Sequence, residues 1–341
     1  MQEVLYRKYR SKTFDEVVGQ DHIVNTLSSS IEDDKVSHAY LFSGGRGLGK
    51  TSIARILANE LGTSANDLFE IDAASNRGID DIRNLRESVR ALPFDSKYKV
   101  YIIDEVHMLT KDAWGALLKT LEEPPKYVVF VLATTELDKI PETIISRCVC
   151  FEFKIPSIDT LKKFVADIAK KEGLKLEDGS LEIISIAGDG SFRDTLGILQ
   201  KVMSASSDKT IKEEEVENIT GAPKSVLVND YVRAIAESDV ALGIKALRES
   251  VERGSDMLLF ARLAITKFRY LLISRYAKEE KKYFSNSISE NDRSMLDGID
   301  TSKSKTVTSG TLLSLLEVLP LIRESSSPTL PLEVVLIKNQ E

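Results

Sequence analysis

Cysteine is almost missing from this chain: its 341 residues contain two, Cys148 and Cys150. They flank one residue of an apparent strand, so their side chains point the same way. That is a poor geometry for a disulfide, and two sulfurs alone do not make a zinc site; they read as core or edge thiols. Long apolar runs are missing too. No stretch approaches the ~20 residues of a membrane helix, and the opening MQEVLYRKYRSK has no signal-peptide core, so the expected location is the cytoplasm and no membrane partner is expected. An excess of basic charge is the third absence. A net charge of −7 argues against a protein that grips nucleic acid over its whole surface, while leaving room for a local basic stripe. Arg7, Lys8, Arg10 and Lys12, with Tyr6 and Tyr9 between them, read by default as a solvated arm. The remaining balance, 42% hydrophobic and 29% charged residues, is that of a soluble protein with ample apolar area to bury. The length exceeds one ordinary core and suggests two or three domains.

Against these absences stands one full motif. Gly44-Gly45-Arg46-Gly47-Leu48-Gly49-Lys50-Thr51 matches G-x-x-x-x-G-K-[ST], between the apolar run Ala39-Tyr40-Leu41-Phe42 and the helical pattern Ile53, Ile56, Leu57, Leu61. Only glycine lets the backbone curl until several N–H groups face one anion, and the helix opening at Lys50 adds its positive end. Gly45, Arg46, Gly47, Leu48, Gly49, Lys50, Thr51 and Ser52 are thus the expected cradle of a nucleoside triphosphate. Lys50 reaches the β and γ phosphates and the Thr51 hydroxyl holds Mg²⁺. The plainer reading is a glycine-rich turn without ligand. Val100-Tyr101-Ile102-Ile103-Asp104-Glu105 supplies the acidic strand end such a site needs, with Asp104 binding Mg²⁺ through water and Glu105 polarising the attacking water. As an alternative, the paired acids cap a helix after Leu109.

Strand-length apolar runs recur near 39–43, 68–73, 98–103, 127–133 and 149–153, separated by helical patterns. That alternation predicts a mainly parallel sheet with helices on both faces, and ligands at the carboxyl ends of its strands. Between the third and fourth strands, Trp114, Leu117, Leu118 and Leu121 form one apolar helical stripe, with Lys119 outside it. After Pro156 the pattern becomes helical only. Ser157 caps a helix striped by Leu161, Phe164, Val165 and Ile168, and Gly188, Gly190 and Ser191 break the region before a helix containing Arg193. From about Ala222 a third segment is again helical, with stripes at 240–276 and 311–322. Its polar interior near 284–309 reads as a loop, and Ser325-Ser326-Ser327-Pro328 breaks its last helix.

Several words are more specific than the phosphate loop. Leu5-Tyr6-Arg7-Lys8-Tyr9-Arg10, Phe14-Asp15-Glu16-Val17-Val18-Gly19-Gln20, His38-Ala39-Tyr40-Leu41-Phe42, Leu117 to Pro125, Leu132-Ala133-Thr134-Thr135, Ser146-Arg147-Cys148 and Gly190-Ser191-Phe192-Arg193-Asp194 together resemble the bacterial clamp-loader ATPases, the DNA polymerase III gamma/tau subunits. The resemblance covers at least residues 1–221 and continues more weakly to Leu330-Pro331-Leu332-Glu333-Val334-Val335. It implies an α/β P-loop AAA+ module over 1–155, a helical lid over 156–221 and an all-α collar over 222–341 that assembles an open ring. It also implies ATP between module and lid, Val17 and Val18 against the adenine, and the arm near Arg10 closing over it. Thr135, with Thr134 as the adjacent alternative, becomes the sensor residue. Arg193 becomes the lid arginine at the γ-phosphate, and Arg147 the finger inserted into a neighbour's site; each arginine otherwise reads as a surface ion-pair partner. Ser75, Asn76, Arg77 and Lys119 occupy places that touch DNA phosphates in the family.

Two departures are plain. The family's four-cysteine zinc module has no counterpart in Asn59 to Leu68, so no zinc is expected, and with these residues ending at Glu341 a tail of the kind that binds polymerase and helicase is not among them. Arg77-Gly78-Ile79-Asp80 also echoes the small subunits of replication factor C. The function this implies is ATP-driven loading of a sliding clamp onto primer-template DNA, with delta and delta-prime type subunits and further copies of the chain as partners. The rivals are a replication-factor-type loader or another AAA+ translocase or restart ATPase, and a ring subunit that binds nucleotide without hydrolysing it. Lys50, Asp104, Glu105 and Arg193 all being present argues against the last.

Overall fold

The computed structural model describes residues 3–206 and 209–338. By its contacts the chain falls into two compact units, one of residues 1–156 with 191–193, the other of 157–190 with 194–341.

The first unit runs α1 (Leu5–Lys8), α2 (Asp21–Glu32), β1 (Ala39–Ser43), α3 (Lys50–Glu60), β2 (Leu68–Asp72), α4 (Ile79–Arg90), β3 (Lys99–Asp104), α5 (Lys111–Glu122), β4 (Val128–Thr134), α6 (Glu142–Ile145) and β5 (Val149–Glu152). Its strands pair in the order β2-β3-β4-β1-β5, all parallel. A strand turns alternate side chains to opposite faces, so a sheet covered on both sides needs apolar residues at every position. Ala39 and Leu41 of β1, Tyr101 and Ile103 of β3, and Phe130 and Leu132 of β4 pack beneath α4, α5 and α6. Tyr40, Phe42, Val100, Ile102, Val129 and Val131 pack on the other face against α2 and α3. Each large side chain buried this way contributes about 1.5–3 kcal/mol, and this two-sided core fixes the level at which every strand ends.

The stripe Trp114, Leu117, Leu121 of α5 is buried, Leu118 is half-buried and Lys119 is exposed. The helix is capped by Thr110, whose Oγ1 accepts the Ala113 N–H, so Asp104 and Glu105 do not serve as its cap. Cys148 lies just before β5 rather than in it, half-buried, while Cys150 is exposed on this edge strand. Burial pushes the Cys148 thiol up to about 12, a protonated and unreactive group.

The second unit contains α7 (Ile158–Lys171), β6 (Lys175–Leu176), α8 (Asp178–Ala187), α9 (Phe192–Ala205), β7 (Thr210–Ile211), α10 (Glu213–Thr220), α11 (Ser225–Glu237), α12 (Val240–Glu252), α13 (Met257–Tyr276), α14 (Lys281–Ser285), α15 (Glu290–Asp297), α16 (Ser309–Glu324) and α17 (Leu330–Lys338). The first turn of α9 clusters with the first unit. Ser157 caps α7 by accepting the Thr160 N–H. Two expectations fail here. The stretch to Gly221 is not purely helical, because β6 and β7 form a short parallel pair; two residues each are too few to show a period. The polar stretch 284–309 is not all loop. It holds α15, capped by Ser289, whose eight residues bury only Asp292 and Leu296 and so leave no apolar stripe to read. Central α13 is buried on most sides, from Phe260 and Leu263 to Phe268 and Leu271, as a helix enclosed by others must be.

Candidate nucleotide site

At the carboxyl end of β1 the chain makes the turn that its glycines permit. Gly44, Gly47 and Gly49 have φ of +137°, +74° and +99°, values that L-residues with a Cβ rarely adopt. Lys50, the first residue of α3, is 6% exposed and its Nζ donates to the carbonyls of Gly44 (2.7 Å) and Gly45 (2.8 Å). Burial pulls its pKa below the ordinary lysine value, against the attraction of Glu105 and Asp104. The Thr51 hydroxyl donates to Asp104 Oδ2 at 2.7 Å. Leu48 is buried beneath the loop, whereas Gly45 and Arg46 are exposed.

β3 and β4 deliver the acids and hydroxyls. Glu105 adopts a left-handed backbone, φ +48° and ψ +43°, a conformation that costs a non-glycine residue about 1 kcal/mol or more. The sharp bend turns its carboxylate towards β4, where Thr135 Oγ1 donates to Glu105 Oε2 at 3.1 Å. Thr134 takes no part in that bond. It contacts His107 Nδ1 at 3.1 Å, which separates the two candidate sensor threonines: Thr135 meets Glu105 and Thr134 meets the histidine.

Arg10 Nε donates to Ser52 Oγ at 2.9 Å, tying the N-terminal arm to α3. Val17 is half-buried and Val18 39% exposed. Their segment is held by Gln20, fully buried, whose Nε2 donates to the Lys154 carbonyl (2.8 Å) and whose Oε1 accepts the Lys154 N–H (3.1 Å). Ser191–Arg193 belong to the same unit. The Phe192 N–H donates to the Gly47 carbonyl at 3.1 Å, and the exposed Arg193 guanidinium adds its charge to those acting on Lys50 and Arg10.

Arg147 stands elsewhere. It follows α6 and precedes β5, whose Val149 is level with Tyr40 near the start of β1, whereas the phosphate loop follows the end of β1. With ~3.3 Å per strand residue, the four steps from Tyr40 to Gly44 set these two levels about 13 Å apart. Arg147 donates to Glu122 Oε1 (3.0 Å) and to the Thr143 carbonyl (2.7 Å), so a surface ion pair is present in this chain. The candidate DNA residues divide similarly. Arg77 follows β2 and its carbonyl accepts the Thr110 N–H at 3.2 Å; Lys119 lies eight residues into α5, roughly 12 Å further on. Both are exposed. Ser75 and Asn76 instead turn back on Asp72, donating to its Oδ2 (3.0 Å) and its carbonyl (3.1 Å).

Sequence reasoning missed His107, Glu136, Gln20 and Asp67. His107 follows the paired acids within the same turn and gave a local signal; the others are joined to their partners only by the fold. Asp67, 1% exposed, accepts the N–H groups of Phe94 (2.6 Å), Asp95 (3.0 Å) and Ser96 (3.0 Å). Burial raises its pKa, but these donors outweigh it and hold the carboxyl well below its usual range.

The residues present fit a nucleotide with Mg²⁺. A ring of turned backbone, a lysine held by loop carbonyls and two hard oxygens of Thr51 and Asp104 in contact are the donors both require. Among the described residues, no group of three or more His, Cys, Asp or Glu is arranged to hold a metal ion by itself, and no helix is long and apolar enough to cross a membrane.

A family model described as DNA polymerase III, delta subunit, matches residues 19–68 and 62–157. DNA polymerase III subunit tau of Bacillus subtilis (strain 168) is 43% identical over 296 residues, 81% of this chain and 52% of that protein. The gamma/tau subunit of Mycobacterium tuberculosis (strain H37Rv) is 38% identical over 79% of this chain and 50% of its own length, and that of Mycoplasma genitalium 36% over 89% and 53%. The chain therefore spans about half the length of these relatives. Among solved structures, the Thermotoga maritima RuvB Holliday junction branch migration motor is similar with a TM-score of 0.53 over 73% of this chain and 86% of that one, at 23% identity, a likeness of AAA+ fold alone.

Proposed function

Since the chain belongs to the DNA polymerase III gamma/tau family over the four-fifths of its length that align, we propose that it is the ATP-hydrolysing motor subunit of a bacterial clamp loader, acting in the cytoplasm. The observation that carries the reading is the meeting of five side chains at the carboxyl ends of β1, β3 and β4: Lys50 on the loop carbonyls, Thr51 on Asp104, and Glu105 under Thr135. Backbone N–H groups of Gly45 to Ser52 receive the phosphates, and Lys50 leaves the carbonyls of Gly44 and Gly45 for the β and γ oxygens. Thr51 and Asp104 are the residues that would hold Mg²⁺, whose chemistry there is to neutralise phosphate charge. Glu105 polarises the attacking water, Thr135 holds Glu105, and Arg193 meets the γ-phosphate. Arg10, Val17 and Val18 surround the base.

Arg147, at the opposite end of the strands from its own loop, is suited to a neighbour's site rather than its own. That role requires a ring, and α16 and α17 support one by exposing Leu313, Leu316, Leu321, Leu330, Val334 and Ile337, large apolar side chains of the kind that contacts between chains cover. In this reading residues 1–155 are the AAA+ module, 156–221 the lid and 222–341 the collar, the last three residues lying outside those described. Delta and delta-prime type subunits, further copies of the chain, a sliding clamp and primer-template DNA are the partners, and no structural zinc is bound. ATP turnover measured alone, with clamp, and with clamp plus primed or single-stranded DNA tests it. Stimulation by clamp and primed DNA together is expected; turnover indifferent to the clamp would defeat the loader reading, and no turnover under any condition would leave a nucleotide-binding ring subunit.

A further inference from the structure

His107 has no role in the mechanism above, yet it is among the most enclosed polar side chains at the site, 7% exposed. Its Nε2 lies 3.1 Å from Glu136 Oε1 and its Nδ1 3.1 Å from Thr134 Oγ1. A carboxylate only accepts, so Nε2 carries a proton and donates it to Glu136. In the neutral imidazole the other nitrogen then accepts, so the Thr134 hydroxyl, which itself accepts the Glu136 N–H at 3.0 Å, donates its proton to Nδ1. Glu136 is held in turn by Lys139 at 2.7 Å. The ring is therefore fixed on both sides by residues at and just after the end of β4. The same Nδ1 edge also faces the Glu105 carboxylate, 3.5 Å from Oε2.

We propose that His107 is a positioning residue for Glu105: the ring, locked by Thr134 and Glu136, is the wall that keeps the Glu105 carboxylate turned to Thr135 and aimed for its work on water. The proposal rests on the reading of Glu105 as the water-polarising base. Its physical basis is that Nδ1, occupied by the Thr134 proton, presents no donor to Glu105. Two acceptor atoms side by side repel, so the carboxylate takes the Thr135 hydroxyl and does not collapse onto the ring. Glu105 needs such support because its left-handed backbone sets it ahead of the single 3-10 turn Val106–Met108 rather than within a helix. The same contacts tie the aim of the base to the 134–139 segment, so a displacement of that segment moves Glu105.

The test uses the full chain with ATP and Mg²⁺, in the most strongly stimulated state obtainable, measuring kcat, KM and ATP affinity for wild type, His107→Ala, His107→Asn, Glu105→Gln and the His107→Ala/Glu105→Gln pair. Expected are a fall in kcat of about tenfold or more for His107→Ala with ATP affinity within about twofold, and partial recovery in His107→Asn, whose amide oxygen still accepts from Thr134. The double variant should be no slower than Glu105→Gln alone, because residues that act as a unit are not additive. Turnover within about twofold of wild type in His107→Ala, with Glu105→Gln inactive, overturns the inference and leaves the base reading standing. Wild-type turnover in Glu105→Gln overturns the base reading itself. A loss that appears equally in ATP affinity, or is not relieved in His107→Asn, marks a merely structural ring and also overturns it. Should His107→Ala not fold, His107→Asn decides alone, by its kcat against its affinity.

Discussion

Lys50 is pulled two ways by its surroundings. Burial disfavours its charge, while Asp104, Glu105 and two loop carbonyls favour it, so its ammonium stays in the loop at the point where phosphate oxygens would replace the carbonyls. Lys50→Ala should therefore lower ATP affinity by about a hundredfold or more, since a charge-assisted contact in a low-dielectric site is worth about 3 kcal/mol. Calorimetry giving wild-type affinity would remove the site assignment. Asp67 is a second residue whose worth lies in partners distant along the chain. Asp67→Asn keeps the shape but sets an amide against the N–H groups of residues 94–96, and should lower unfolding stability by about 2 kcal/mol. A denaturant series showing a change below about 0.5 kcal/mol would refute the staple. Because the folded pKa of Asp67 is depressed, its contribution is complete above the ordinary carboxylate value and is lost as pH falls towards the folded one.

Elements decide where the arginines act. Parallel pairing of β1 with β5 sets the start of β5, and Arg147 with it, at the amino ends of the strands, while loops bearing Lys50, Glu105 and Thr135 leave the carboxyl ends. α5 runs back between the two, from Thr110 near Arg77 to Glu122 at Arg147. Arg147→Ala should leave ATP bound at its own site and stop hydrolysis next door. Assemblies mixing Arg147→Ala with Lys50→Ala chains report this directly, and a defect confined to the mutated chain's own site would contradict the finger role. α4 adds a constraint on DNA. Its N-terminal N–H of Gly78 is already taken by Asp81, with Asp80 beside it and Asp72 holding Ser75 and Asn76. Arg77 thus stands among carboxylates, with neighbouring Arg83 already paired to Asp80, and phosphate binding there would depend on several subunits acting together.

At the scale of the whole molecule, an acidic chain must pool its weak cations to hold a polyanion. Replacing Arg77 and Lys119 together by Ala should weaken DNA-stimulated ATPase activity and flatten its salt slope, leaving basal activity near wild type; unchanged stimulation and slope would hand the DNA to backbone amides or another subunit. The second unit carries its own titration. Lys267, 1% exposed, pairs with Asp292 at 2.7 Å and donates to Ser225 and Asn229, and nearby Glu182, 2% exposed, accepts the Ser289 N–H. Burial pushes Glu182 up to about 7, against Lys267 and Lys162 and helped by Asp292. Folded Glu182 then holds a proton that the unfolded chain releases between pH 4.5 and about 7, so its stabilisation is full below that window and is lost as pH rises through it. Urea melts across the window should show falling stability, with a shallower fall in Glu182→Gln. The fall should not vanish, because burial also pushes Glu213 up to about 7. Identical slopes in wild type and variant would exclude Glu182 as the source.

The sequence by itself determined the parallel sheet, its five strand positions and the phosphate loop, because each is written locally: unbroken apolar runs for strands buried on both faces, glycines where φ turns positive, and helix caps such as Ser157. It also carried the family, through words short enough to be read in place. The gamma/tau resemblance extends to Arg147 and Arg193 as residues, but only the register of β5 on β1 separates Arg147 from its own loop. Likewise Gln20 meets Lys154 across 134 positions and Asp67 meets residues 94–96 across 27 to 29. Those partnerships, the division of labour between Thr134 and Thr135, and the enclosure of His107 were decided by tertiary structure alone. A hydrogen-bond partner is chosen by which strand ends lie side by side, and a single residue carries no periodic signal of the neighbour that packing will bring to it.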